Sequence, residues 1–342
     1  MLVDAHCHYY CSSFNDCCRQ NNELERDNNV GSVLSLYNST KLDDISNIDK
    51  VGKGKVEVEE EKEEEQDSER QRLYIKKGLG IHPWYAHLYT LVPNISKTEH
   101  YGKVLQWKGR STGQRKEGQT TTIEEEELRR MINALPEPIL LNDNLDLFLN
   151  NIDFIGEIGL DKTFRIPWGD NSSENMGSCG KRGTVSLSNF TTKLEHQLSI
   201  LQWWLKYANK HSLSVQLHSV KFYDQLLEVC KDQLLLNPKC KILLHGFQGS
   251  VDTLKRWSRI FKSDRIYVSF NPQLNLRNND HMVLLLYLEV LDIEHVFVET
   301  DSYEFNETTY RTIANVTKIL QEQSPNKEIN FKSNVLNFLN IA

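Results

Sequence analysis

The chain has 342 residues, 39% of them apolar and 9% aromatic, enough for a large core in one domain or two. Its net charge is −7, but residues 57–69 (EVEEEKEEEQDSE) hold nine acids and one lysine, so the remainder is close to neutral and the global acidity says little about any binding surface. The strongest apolar run, MVLLLYL at 282–288, is too short to span a bilayer, and seven cysteines without repeated spacing argue against an extracellular disulfide framework.

No basic segment followed by an apolar stretch marks a signal peptide. A cytosolic or nuclear protein with reduced thiols and no membrane attachment is expected. Cys7, Cys11, Cys17 and Cys18 cluster near the start but lack paired CxxC knuckles, so they read as thiols rather than a structural zinc site.

Eight short apolar runs follow one another: 2–10, 32–37, 76–85, 152–161, 213–220, 241–247, 265–272 and 294–303. Each is rich in Val, Ile, Leu, Phe or Tyr and ends near Gly, Pro, Ser or Asn, as buried parallel strands do. Helical patterns lie between several of them, at 121–135, 189–211, 222–235 and 250–261. Thr122 with Glu125 has the spacing of a capping box. Eight strands alternating with helices predict an α/β fold, a (β/α)8 TIM barrel, over a single domain 1–342.

Three stretches exceed a minimal barrel: 38–72 with the acidic run, 97–122, and 165–185. They read as flexible insertions between barrel elements. Without them the chain is about 260 residues, near the roughly 250 typical of this barrel. Residues 97–116 carry six basic groups and one acid with Tyr101 and Trp107 among them. That pattern suits single-stranded nucleic acid, but a solvated insertion is the simpler reading. The run 57–69 reads as a solvated tract or a partner tail.

The polar residues of the apolar runs fall late in each. His6 and His8 end the first, Glu157 lies in the second half of the fourth, His218 and His245 end the fifth and sixth, and Asp301 ends the eighth. In an extended strand His6 and His8 share one face and Cys7 takes the other. A barrel gathers the C-terminal ends of its strands at one face, where active sites are built. One strand-end histidine is usually a packing residue. Four histidines and two acids at five strand ends point instead to divalent metal. Six ligands exceed one tetrahedral catalytic site, so two ions sharing a carboxylate are expected, with hydrolysis as the chemistry. His87, His100, His196, His211, His281 and His295 read as surface or packing residues.

The segments DAHCHY, GIHPWYA, IGEIGLD, LHS, LHGFQGS and VETDS resemble, in order, the motifs of the TatD-related metal-dependent deoxyribonucleases, and the likeness runs from residue 3 to about 320. It is closest to a divergent fungal branch described as interacting with a subunit of the anaphase-promoting complex. The resemblance implies a metal-dependent hydrolase that cleaves phosphodiester bonds of DNA with two divalent ions (Zn, Mn, Mg or Co) activating water. It implies that His6 and His8 hold one ion, His218 and His245 the other, that Glu157 bridges them, and that Asp301 binds metal and handles the proton of the attacking water. His82 would contact the scissile phosphate, and a protein partner in the cell-cycle machinery is implied as well.

Trp84 and Tyr85 follow His82 and either stack on a base or pack. The chain departs from the family pattern at Val220, where many members have a basic residue, and at Tyr303, where many have proline. Lys221 offers a substitute cation from the opposite face of its strand. Two other readings compete. An amidohydrolase acting on C–N bonds would often carry a carbamylated lysine where Glu157 stands. A non-catalytic interaction protein would keep the barrel, with or without the metal.

Overall fold

The computed structural model describes residues 2–7, 33–39, 73–109, 122–142, 152–168, 186–272, 282–302, 307–323 and 329–341. All eight apolar runs contribute a strand to one parallel sheet. In chain order these are β1 (Leu2–Cys7), β2 (Val33–Ser39), β3 (Leu73–Leu79), β4 (Phe154–Asp161), β5 (Val215–Val220), β6 (Ile242–Leu244), β7 (Ile266–Phe270) and β8 (Val296–Val298). Spatial order equals sequence order, so each strand pairs with the next.

The first and last strands also meet. The Asp301 N–H donates to the His6 carbonyl at 2.9 Å, and the Asp4 carboxylate accepts the Thr300 N–H at 3.0 Å and its hydroxyl at 2.6 Å. These bonds close the sheet into the (β/α)8 barrel that the alternation predicts.

The strands form where they do because both faces are apolar. Every residue of β4 and β7 is buried, the signature of a parallel sheet covered by helices. The helices are α1 (Lys97–Val104), α2 (Thr122–Ala134), α3 (Leu194–His211), α4 (Tyr223–Leu234), α5 (Val251–Phe261), α6 (Met282–Leu288), α7 (Glu307–Glu322) and α8 (Phe331–Phe338). In α5, Ser250 Oγ accepts the Thr253 N–H at 3.1 Å as an N-cap, and Leu254, Trp257 and Phe261 recur at helical spacing on the buried face. Trp204 of α3 is likewise fully buried. Truncating either tryptophan to alanine would cost about 3–5 kcal/mol. No helix among the described residues is long and apolar enough to cross a membrane.

One glycine sets the distance between β4 and β5. A Cβ at Gly159 would fall 1.9 Å from the His218 carbonyl oxygen, so only glycine lets the strand carrying Glu157 lie this close to the strand carrying His218.

The expectation of a flexible insertion over 97–122 is corrected for its first part. Ser96 Oγ caps α1 by accepting the Glu99 N–H, Tyr101 and Val104 are buried, and Leu105–Trp107 pairs antiparallel with Phe190–Thr192. Local capping and the three buried side chains, His100 among them, outweigh the polar composition. The acidic run 57–69, most of 38–72, residues 110–121 and residues 169–185 lie outside the described residues.

Candidate metal centre

Glu157 stands midway along β4, beside a register shift between Ile155 and Glu157 in the pairing with β5. Such an irregularity re-aims a side chain. Its buried carboxylate meets four imidazoles. Oε2 is 3.4 Å from His6 Nε2, and Oε1 is 3.1 Å from His82 Nε2, 2.8 Å from His218 Nδ1 and 3.3 Å from His245 Nε2. Burial alone would push this carboxyl up. His82, His245 and His6 beside it, with the hydrogen bond from His218, outweigh burial and hold it well below the usual carboxylate range. Two groups with metal-ligating geometry result, His6–Glu157–His245 and His82–Glu157–His218, and Glu157 belongs to both.

The rings are oriented from behind. His6 Nδ1 lies 2.6 Å from Gln216 Oε1, and the Gln216 amide N–H donates to the Ala5 carbonyl at 3.0 Å. That second bond fixes which end of the amide faces His6, so Nδ1 is the donor to Gln216 and Nε2 is the nitrogen turned toward Glu157. His245 Nδ1 donates to Glu299 Oε2 at 2.9 Å, leaving its Nε2 toward Glu157 in the same way. The His6 and His245 rings stack with centroids 3.6 Å apart. Two imidazole nitrogens aimed at one carboxylate, each with its other nitrogen tied down, is a donor set that fits a divalent transition-metal ion.

His82 differs. Its Nδ1 accepts the backbone N–H of Trp84 at 3.1 Å, so in the neutral ring the proton sits on Nε2. That N–H points toward Glu157 Oε1 and His218 Nδ1, the latter 3.2 Å away. The ring is therefore prepared as a hydrogen-bond donor more than as a ligand. His218 is held on both sides, with Nδ1 at Glu157 and Nε2 3.5 Å from Asp161 Oδ2. Burial lowers its pKa, but Asp161 and Glu157 outweigh burial and raise it above the ordinary imidazole value.

Several supporting residues were not singled out in the sequence. Asp4, Asp161, Gln216, Ser269 and Glu299 are all buried. Glu299 accepts from His245, the Ser269 hydroxyl and the Gly246 N–H. The signal that would have found most of them is the strand period of two. Asp4 precedes His6 by two residues, Gln216 precedes His218, and Glu299 precedes Asp301.

Of the residues named from the sequence, His6, His82, Glu157, His218 and His245 converge, while His8 lies outside the described residues. Asp301 has 39% of its side chain exposed, Oδ1 3.7 Å from His6 Nε2 and a left-handed backbone with φ 53°. Aspartate tolerates that conformation better than most residues. The resemblance pairs His218 with His245, whereas the side chains here group His245 with His6 and His218 with His82.

Trp84 stacks on Phe164 with centroids 4.9 Å apart, and its indole N–H donates to Asp161 Oδ2 at 2.8 Å. Tyr85 is buried. Lys221 is exposed, with φ 63° just past β5. His100 and His196 act in packing. Their Nε2 atoms lie 2.8 Å from the His87 carbonyl and 3.0 Å from the Ala86 carbonyl, in the short helix Pro83–Leu88 that follows His82.

A closed parallel barrel with a buried carboxylate ringed by histidines near its C-terminal strand ends defines the class of metal-dependent hydrolases. The chain belongs to the TatD related DNase family, whose profile matches residues 3–332. It is similar to an uncharacterized deoxyribonuclease of Saccharomyces cerevisiae, YMR262W, with 29% identity over 280 residues, 81% of this chain and 76% of that protein. It is also similar to the Cut9-interacting protein scn1 of Schizosaccharomyces pombe, with 26% identity covering 58% of this chain and 64% of that protein. Among solved structures it shares the fold of YjjV, a TatD homolog from Escherichia coli, at a TM-score of 0.56 and 15% identity over 100% of this chain and 98% of that one.

Proposed function

We propose that this protein hydrolyses phosphodiester bonds of DNA at a binuclear centre bridged by Glu157. The observation that carries the reading is the Glu157 carboxylate between four imidazoles, with His6 and His245 presenting Nε2 from one side and His218 presenting Nδ1 from another. His6, His245, His218, Glu157 and Asp301, with His8, would hold the ions. Divalent ions bound there supply Lewis acidity and lower the pKa of water.

The side chains supply the rest. In the hydrolysis a water oxygen bonds to phosphorus, the P–O bond to one sugar oxygen breaks, and the proton released by the water ends on that leaving oxygen. In this reading Asp301, the most exposed acid of the group, takes the proton from water first, which its exposure supports. His82, whose Nδ1 acceptor role leaves its proton on Nε2, would turn that N–H from Glu157 to a phosphate oxygen when substrate binds. The histidines around the buried Glu157 favour its charged form, the form that would bridge two ions.

The test is metal analysis of the purified protein followed by digestion of end-labelled single-stranded oligonucleotides with Mg, Mn or Zn, beside Asp301→Asn and Glu157→Ala. Two ions per chain and cleavage lost in both variants are expected. Two ions without cleavage would turn the reading to a small-molecule hydrolase, and no metal uptake would overturn it. A second reading, a protein-binding role in the cell-cycle machinery, is favoured by the similarity to a Cut9-interacting protein.

A further inference from the structure

The four imidazoles are not equally accessible. His6 is sealed, His82 and His245 expose 6% and 7% of their side chains, and His218 at the end of β5 exposes 14%. With Asp301 on the β8 side, His218 marks where a substrate reaches the centre.

Two exposed lysines directly follow β4 and β5, the strands that carry Glu157 and His218. Lys162 directly follows Asp161, the residue that contacts His218, and its backbone N–H donates to the Val220 carbonyl at 3.1 Å. Lys221 lies three residues past His218. The Lys162 ammonium stands 5.8 Å from the ring centroid of Phe222, which is half-buried.

Some surface lysines are matched with acids, as Lys103 is with Glu99, Lys231 with Glu228 and Lys318 with Glu322. Among the described residues no carboxylate lies within ion-pair distance of Lys162 or Lys221. An ammonium over a weak aromatic partner, beside Glu157 and Asp161 carboxylates that are engaged with His218, keeps its charge free for an anion that arrives.

We infer that Lys162, with Lys221 and Phe222, forms a subsite for the nucleic-acid strand next to the bond being cut. The two ammonium groups contact flanking phosphates and the Phe222 ring stacks on a base. Cations with an interleaved aromatic are how single strands are held without sequence preference. The positions explain how a chain with Val220 at the end of β5 still offers positive charge there. The inference rests on the phosphodiesterase reading of the centre, but it concerns binding and is tested without turnover.

The experiment is a fluorescence-anisotropy titration of a short fluorescein-labelled oligothymidine in EDTA at several salt concentrations. The full chain is compared with Lys162→Gln, Lys221→Gln and the double variant. All are surface changes, and circular dichroism checks the fold. Each single variant should weaken binding several-fold and reduce the slope of log Kd against log salt by about 0.7, the value for one phosphate contact on a single strand. In the metal-loaded protein Lys162→Gln should raise KM for the oligonucleotide several-fold with kcat unchanged. KM for bis(p-nitrophenyl) phosphate, which has no flanking phosphate, should stay as in wild type.

Unchanged salt slopes, no oligonucleotide binding by the wild type, or competition by polyglutamate as effective as by oligonucleotide would each overturn the subsite. Lysine-dependent binding without cleavage would instead leave the subsite standing and remove the nuclease reading.

Discussion

His245 Nδ1 donates to Glu299 Oε2 across 2.9 Å, and Glu299 is wholly buried behind the ring. Burial favours the neutral acid, but the imidazole beside it holds the Glu299 carboxyl below its usual range. A carboxylate behind a ligating histidine fixes the tautomer and raises the basicity of the other nitrogen. Glu299→Gln keeps the shape and removes the charge. Its affinity for divalent metal should fall about 10–100-fold, read by competition with a chromogenic chelator. Wild-type affinity in that variant would show that Glu299 only packs.

Asp161 serves two neighbourhoods with two oxygens. Oδ1 accepts the Thr163 N–H at 2.6 Å, the Thr163 hydroxyl at 2.8 Å and the Phe164 N–H at 3.1 Å, while Oδ2 accepts the Trp84 indole and faces His218. In Asp161→Asn the single oxygen remains with the three donors on the Oδ1 side, and the amide group is left against the Trp84 N–H. The cost should be about 1–3 kcal/mol of stability. Tryptophan emission should change, and oligonucleotide turnover should drop about tenfold or more as His218 loses its rear partner. Unaltered emission and turnover would count against this role.

Gly159 tests the closeness of β4 and β5. The alanine methyl would meet backbone, the His218 carbonyl, and not a side chain that can rotate away. Gly159→Ala should lose at least about 3 kcal/mol, seen as a large fall in Tm or failure to accumulate folded protein. A wild-type Tm would mean that the strands have slack the geometry denies.

The barrel and the histidine set were legible because each leaves a periodic mark. Apolar runs of strand length at regular intervals specify the sheet, and polar residues late in those runs specify its functional face. What was illegible depends on contacts far apart in sequence. Gln216 reads as an ordinary polar residue until β5 brings it 2.6 Å from His6, which is 210 positions away. The pairing of His245 with His6 likewise follows from the closure of β1 on β8, which no local pattern reports. Residues 97–107 misled for the opposite reason. Their polar, glycine-containing composition describes the solvent side of α1, while His100, Tyr101 and Val104 carry the packing.

The helix after His82 gives the last prediction. His196 reaches in from α3, with its Nε2 3.0 Å from the Ala86 carbonyl, so the neutral ring donates there. Burial, aided by the nearby His100 and opposed by the weaker upward pull of its backbone hydrogen bonds, lowers its pKa to about 4. The unfolded chain would titrate this histidine near 6.5. Between those values the unfolded state binds more protons than the folded one, so stability rises with pH in that window. The contribution is complete above about pH 6.5 and is lost as pH falls toward 4, up to about 3 kcal/mol. His196→Gln keeps a donor for Ala86 and cannot titrate. Its Tm should therefore fall less than that of wild type between pH 7 and 4. Parallel curves for the two proteins would assign the acid sensitivity to other groups and leave His196 a packing residue only.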